Sequence, residues 1–133
     1  MQIIEYLKKD YNGYLEQARS IIKNFHSFLN NSEIQVLDIN NNNAFEFLIW
    51  GIKLIIKTEI SCNDRMDRFD KGELNTYVMT EEKNVLVLSW SFDKIGNVNQ
   101  LYLVKEFSQF YYVDLIKNLL QFNKSNNIKF QLI

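Results

Sequence analysis

The sequence predicts a single α+β domain: a long N-terminal helix, an antiparallel β-meander of about four to six strands and a C-terminal helix, with both helices on one face of the sheet. Three observations carry that prediction. Apolar residues recur at helical spacing through the first thirty positions and again from about position 105. Between those stretches the pattern switches to alternation. No linker, internal repeat or composition break interrupts the 133 residues.

The first helix is read from Ile4, Leu7, Tyr11, Tyr14, Ala18, Ile21, Phe25 and Phe28, whose alternate steps of three and four keep them on one face. Ile3, Leu15, Ile22 and Leu29 widen the stripe, and Asn30-Asn31-Ser32 ends it. Gly13 costs about 1 kcal/mol relative to alanine inside a helix, too little to break so long a stripe. Such steps also suit a coiled coil, which leaves a homodimer open. Tyr, Phe and Ala in the seam favour a helix laid across its own sheet instead.

The strands follow. Ile34 to Ile39 alternates loosely, and the polar run Asn40 to Asn43 makes a turn. Ala44 to Ile60 is β-rich throughout, but as one strand it would be roughly 55 Å long, too much for a domain of this size. The chain must therefore change direction at Gly51. A bend with a bulge is expected, because Trp50-Gly51 is poor chemistry for a two-residue hairpin. On that reading Phe45, Phe47 and Ile49 face one way and Leu48, Trp50 and Ile52 the other. Both faces are then apolar, to be covered by the helices and the chain's tail or left as a partner surface. Leu74 to Thr80 and Val85 to Phe92 read as a hairpin across Glu81 to Asn84, with Leu86, Leu88, Trp90 and Phe92 on one face.

Asp93 to Asn97 is a turn and Gln100 to Val104 a last meander strand. Lys105 to about Asn123 is the second helix, carrying Phe107, Phe110, Tyr111, Leu115, Leu119 and Phe122 at helical spacing. Ile128 to Ile133 alternates and is a candidate edge strand. The expected core is Ile4, Leu7, Tyr11, Tyr14, Ile21, Phe25, Leu86, Leu88, Trp90, Phe110, Leu119 and Leu120.

Composition removes several chemistries. With one histidine and one cysteine there is no Cys/His zinc cage, and a nucleophile–histidine device would have to run through His26. His26 lies beside Phe25 and Phe28, with no carboxylate or serine spaced to make it a base. Cys62 has no helix start or basic cluster to lower its pKa and reads as an inert thiol. Gly13, Gly51, Gly72 and Gly96 are too scattered for a phosphate-cradling loop. The expectation is no catalytic residue, no metal and no cofactor.

Fifteen basic against 16 acidic residues give a net charge of −1, without the positive excess that nucleic-acid binding needs. The longest apolar stretch, Phe47 to Ile52, is six residues, against the roughly 20 of a membrane span. A lone Cys62 and a charged opening, Glu5 to Asp10, suit a cytoplasmic protein.

One segment is a candidate site. From Asp64 to Glu73 an acidic residue recurs at 64, 67, 70 and 73 and a basic one at 65, 68 and 71. The segment suits a solvated turn or short helix capped by Asn63, with Met66 and Phe69 turned inward and Gly72 as a left-handed stop. It also suits a charged recognition loop, and Asp64, Arg65, Asp67, Arg68 and Asp70 are the candidate partner-binding residues. A calcium loop fails, because Phe69 and Lys71 would occupy ligand positions that need oxygens. Glu81-Glu82-Lys83, with Asp70 upstream, has a carboxylate–lysine spacing that metal-dependent phosphate chemistry could use, but it falls at a predicted hairpin tip.

The function expected from this physique is a non-catalytic cytoplasmic protein-binding module of the immunity, inhibitor or chaperone kind. The alternative is a small-molecule binder with an aromatic-lined pocket between sheet and helices.

Overall fold

The structure is a computed structural model and describes residues 2–37, 43–66 and 68–126. Its elements are α1 (Gln2–Asn31), β1 (Val36–Leu37), β2 (Ala44–Ile49), β3 (Ile52–Cys62), β4 (Phe69–Met79), β5 (Asn84–Phe92), β6 (Asn97–Val98), β7 (Tyr102–Leu103) and α2 (Phe107–Asn126). The strands form one antiparallel sheet in chain order, each paired with the next. Among the described residues the meander reaches seven strands, because the two-residue β1, β6 and β7 extend a core of four longer ones. Ile39, most of the Asn40 to Asn43 turn, Asp67 and the tail Ile128 to Ile133 lie outside the described residues.

Side chains on one sheet face line up in cross-strand rows. Phe47, Leu54 and Val78 make one row, and Phe45, Ile56, Thr76 and Leu88 the next. Thr58, Leu74 and Trp90 make a third, and Gly72, Phe92 and Val98 a fourth. All are buried. Over them α1 lays Tyr14, Ala18, Ile21, Ile22, Phe25 and Leu29, and α2 lays Phe107, Tyr111, Leu115 and Leu119.

Phe25 is the hub of this core. Its ring centroid lies 5.3 Å from that of Tyr111, 6.1 Å from Phe47, 6.2 Å from Phe107 and 6.4 Å from Phe45. Each such pair adds about 0.5–1.5 kcal/mol beyond its buried area. The Tyr111 hydroxyl reaches through the apolar layer to Thr76 Oγ1 at 2.8 Å and donates toward Leu74 O at 3.4 Å, so a deeply buried polar group is satisfied. Burial pushes that phenol far above its ordinary pKa.

α1 spans the thirty residues its stripe predicts, and it closes with Glu33 in left-handed backbone (φ 61°). Ile34 N then bonds Leu29 O at 3.0 Å and Glu33 N bonds Asn30 O at 3.2 Å, the Schellman closure of a helix end. Only the part from Tyr14 onward lies fully over the sheet. Ile4 is 69% exposed, Tyr11 39% and Leu7 half-buried, so the first turns, placed in the core by periodicity, sit largely outside it.

Two local features overturn the expected strand phases. Trp50 (φ 53°) and Gly51 (φ 80°) form a two-residue turn closed by the pair Ile49 and Ile52, so Gly51 is a hairpin corner and not a bend. Ile52 consequently joins Ile49 on the inner face, leaving Leu48 on the other.

In the β4–β5 pair, Thr76 faces Leu88 while Tyr77 faces Leu86, so Val87 is an extra residue with no partner. This bulge reverses the alternation: Leu88 is 7% exposed and Leu86 51%. Gly72, expected as a helix stop, lies inside β4. A Cβ there would meet the Phe92 ring at 2.6 Å, so glycine lets that ring lie flat on the strand.

Candidate functional site

α2 is apolar on both sides. Its inward face is the core layer of Phe107, Tyr111, Leu115 and Leu119. Its outward face carries Phe110, Val113 and Leu120, which are 42%, 51% and 50% exposed. Leu101 and Leu103, just before the helix, are 76% and 51% exposed. Clustered exposed apolar side chains mark interaction surfaces.

Phe110 is held rigidly in this surface. Tyr102 is sandwiched between Trp90 (centroids 5.4 Å apart, 9° between planes) and Phe110 (4.6 Å, 13°). Trp90 Nε1 donates to Asp114 Oδ2 on α2 at 3.1 Å, which fixes the base of the stack. Three elements therefore converge on one half-exposed aromatic ring, the kind of preorganised anchor that dominates protein interfaces. A groove of about 470 Å³ lies beside it, lined by Phe28, Lys105, Glu106, Ser108, Gln109 and Phe110. The sequence reading placed Phe110 and Leu120 in the core, and the structure puts both outside it.

The charged segment is a hairpin tip. β3 ends at Cys62 and β4 begins at Phe69, with Asn63 N bonded to Arg68 O and Met66 N to Asn63 O, both at 3.0 Å. The short-helix alternative for this segment is thereby corrected. Met66 (φ 56°) is 78% exposed rather than tucked inward, whereas Phe69 is half-buried against Tyr11, centroids 5.2 Å apart. Asp64, Arg65 and Arg68 are exposed on the loop and Asp70 on β4, while Asp67 lies outside the described residues. The tip offers charges of both signs to solvent.

The carboxylate–lysine spacing does not assemble. Asp70 is near the start of β4 and Glu81 lies two residues past its end, so the length of the strand, roughly 30 Å at about 3.3 Å per residue, separates them. Glu81, Glu82 and Lys83 are exposed in a turn closed by Thr80, whose Oγ1 and N contact Lys83 O at 2.6 and 3.0 Å. His26 is half-buried, with Nδ1 3.2 Å from Asn30 Nδ2 and its ring edge-on to Phe45 at 5.0 Å. Cys62 is exposed. Among the described residues no three His, Cys, Asp or Glu side chains are grouped to hold a metal ion.

Several polar features carry no strong sequence signal. Asp10, 6% exposed, accepts from Lys94 Nζ at 2.7 Å and ties α1 to the β5–β6 turn. That hydrogen bond raises the lysine's pKa. The Lys94 stem crosses the helix at Gly13, where a Cβ would stand 3.2 Å from Lys94 Cβ. An acidic residue inside the apolar stripe was the only available hint. Within the same turn Asp93 Oδ1 accepts from Asn97 N at 2.9 Å and Ile95 N at 3.1 Å.

The sheet face away from the helices is dressed in paired charges. Lys53–Glu46 (3.1 Å), Lys57–Glu59 (3.7 Å) and Lys71–Glu73 (3.7 Å) lie along it, and Tyr77 donates to Glu59 at 3.0 Å. Between sheet and helices, aromatics expected to line a pocket pack on one another around Phe25. Among the described residues no helix is long and apolar enough to cross a membrane.

Comparison with protein-family models, curated proteins and solved structures finds no match.

Proposed function

We propose that this chain is a non-catalytic protein-binding module of the cytoplasm, of the immunity, inhibitor or chaperone kind, and that the outward face of α2 is its principal contact surface. The observation that carries the reading is the exposure of Phe110, Val113 and Leu120 on a helix already buried on its other side. Burying such a side chain completely is worth roughly 1.5–3 kcal/mol, so covering the half still exposed is worth about half of that for each. Phe110 is already fixed by its stack on Tyr102, so little side-chain entropy is lost when a partner covers it. The tip residues Asp64, Arg65, Asp67, Arg68 and Asp70 supply a second, polar contact whose charges select and steer a partner.

The test is the size of the particle containing the chain in gently lysed cells that make it. The wild type is expected in a particle larger than the free chain, and Val113→Asp at the free-chain size with an unchanged circular dichroism spectrum. Wild type eluting as the free chain would overturn the reading.

A further inference from the structure

The outward face of α2 has an order that specifies its partner. From Glu106, immediately before the helix, the exposed positions Glu106, Phe110, Val113, Lys117, Leu120 and Lys124 follow at steps of four, three, four, three and four. This is the spacing of a two-helix seam. The series is complementary to itself when reversed: end for end, Glu106 falls on Lys124, Phe110 on Leu120 and Val113 on Lys117. The flanking exposed residues Gln109 and Gln121 also exchange places.

We propose that the partner of this face is a second copy of the chain, with the two α2 helices antiparallel about a two-fold axis near position 115. This proposal rests on reading the face as a protein-contact surface and names its occupant. In such an isologous interface each contact occurs twice. Glu106 of each copy meets Lys124 of the other, at both ends of a seam about 27 Å long.

Phe110, locked by Tyr102, meets Leu120. The aliphatic stem of Lys117 covers Val113 and carries its ammonium to solvent. Parallel pairing would set Glu106 against Glu106, Lys117 against Lys117 and Lys124 against Lys124, so charge alone selects the antiparallel order. The charged tip between β3 and β4 takes no part and stays free for other proteins.

Sedimentation velocity of the purified chain, from low to high micromolar concentration, tests this directly. Wild type is expected to show a reversible monomer–dimer equilibrium. Glu106→Lys and Lys124→Glu, both at exposed positions, should each weaken it about tenfold, while the double variant recovers to within about threefold of wild type. An equimolar mixture of the two single variants should also recover, because each then presents to the other the charge it lacks. Val113→Asp should be monomeric, with the wild-type melting curve as evidence that it folds.

A wild type monomeric at every concentration would overturn the proposal, as would charge reversals that neither weaken association nor rescue each other. If the purified chain is monomeric but α2 cross-links to a different protein in cells, the second-copy proposal falls and the protein-binding reading stands. If α2 contacts no protein in either setting, both fall.

Discussion

Asn118 on α2 donates its side-chain amide to the carbonyl of Val87 at 2.7 Å, and Val87 is the one residue of β5 that the bulge leaves without a cross-strand partner. One asparagine thus answers the backbone irregularity that turns Leu86 outward, and it fixes α2 against β5. Asn118→Ala is expected to cost about 1–3 kcal/mol, the penalty for a poorly satisfied backbone acceptor. Urea titration measures it, and a loss within the error of the titration would show that water replaces the amide freely.

The bulge also makes a paired prediction. Leu88→Ala should cost about 2–5 kcal/mol, because Leu88 is buried in the inner row with Phe45, Ile56 and Thr76. Leu86→Ala, two residues away and half exposed, should change stability by less than about 0.5 kcal/mol. Equal losses in urea would contradict the register.

These elements show how far the sequence could be read. α1 was legible almost to its ends, because a stripe of threes and fours over thirty residues has no rival period. The Trp50-Gly51 turn was not, since a tryptophan in left-handed backbone is held there by strand pairing on both sides and not by its own preference. Nor was the bulge: Val85, Leu86, Val87 and Leu88 are all apolar, so alternation there carries no phase. The same limit hid the contact face of α2. Phe107, Phe110, Tyr111, Leu119 and Leu120 fit one helix, but periodicity cannot say which of two apolar faces turns inward when both are apolar. The tip was legible as charge and not as a hairpin, because Phe69 and Gly72 enter β4 through contacts with Tyr11 and Phe92 that lie far apart in the chain.

Asp93 makes stability depend on pH. Burial alone would raise its pKa, but hydrogen bonds from Asn97 N, the Asn97 side chain and Ile95 N outweigh that and hold the carboxyl below its ordinary value. A carboxylate favoured in the folded state adds stability above its unfolded pKa of about 3.9 and loses it as pH falls through the lower folded value. Asp93→Asn should therefore be less stable than wild type by about 1 kcal/mol near neutral pH, in keeping with a charge-assisted bond at a half-exposed site. Thermal melts at descending pH should show the two curves converging in acid. A constant gap down to the acid limb would contradict the assignment.

Reversal of the tip charges separates contact from folding. Asp64→Lys with Asp70→Lys alters two exposed positions and should leave stability within about 0.5 kcal/mol of wild type. If the tip meets a partner, the same variant associates severalfold more slowly at low salt, and the difference fades as ionic strength rises. Unaltered kinetics at low salt would remove the tip from the interface.

The central claim is that protein covers the outward face of α2. Its most direct measurement is photo-cross-linking inside the cells that make the chain, with a photoreactive residue at Val113 and, as control, at Glu82 in the exposed β4–β5 turn. The account predicts a discrete protein adduct at Val113, none at Glu82, and loss of the Val113 adduct when Phe110→Asp is added. Equal labelling at the two positions, or no protein adduct at Val113, would contradict it.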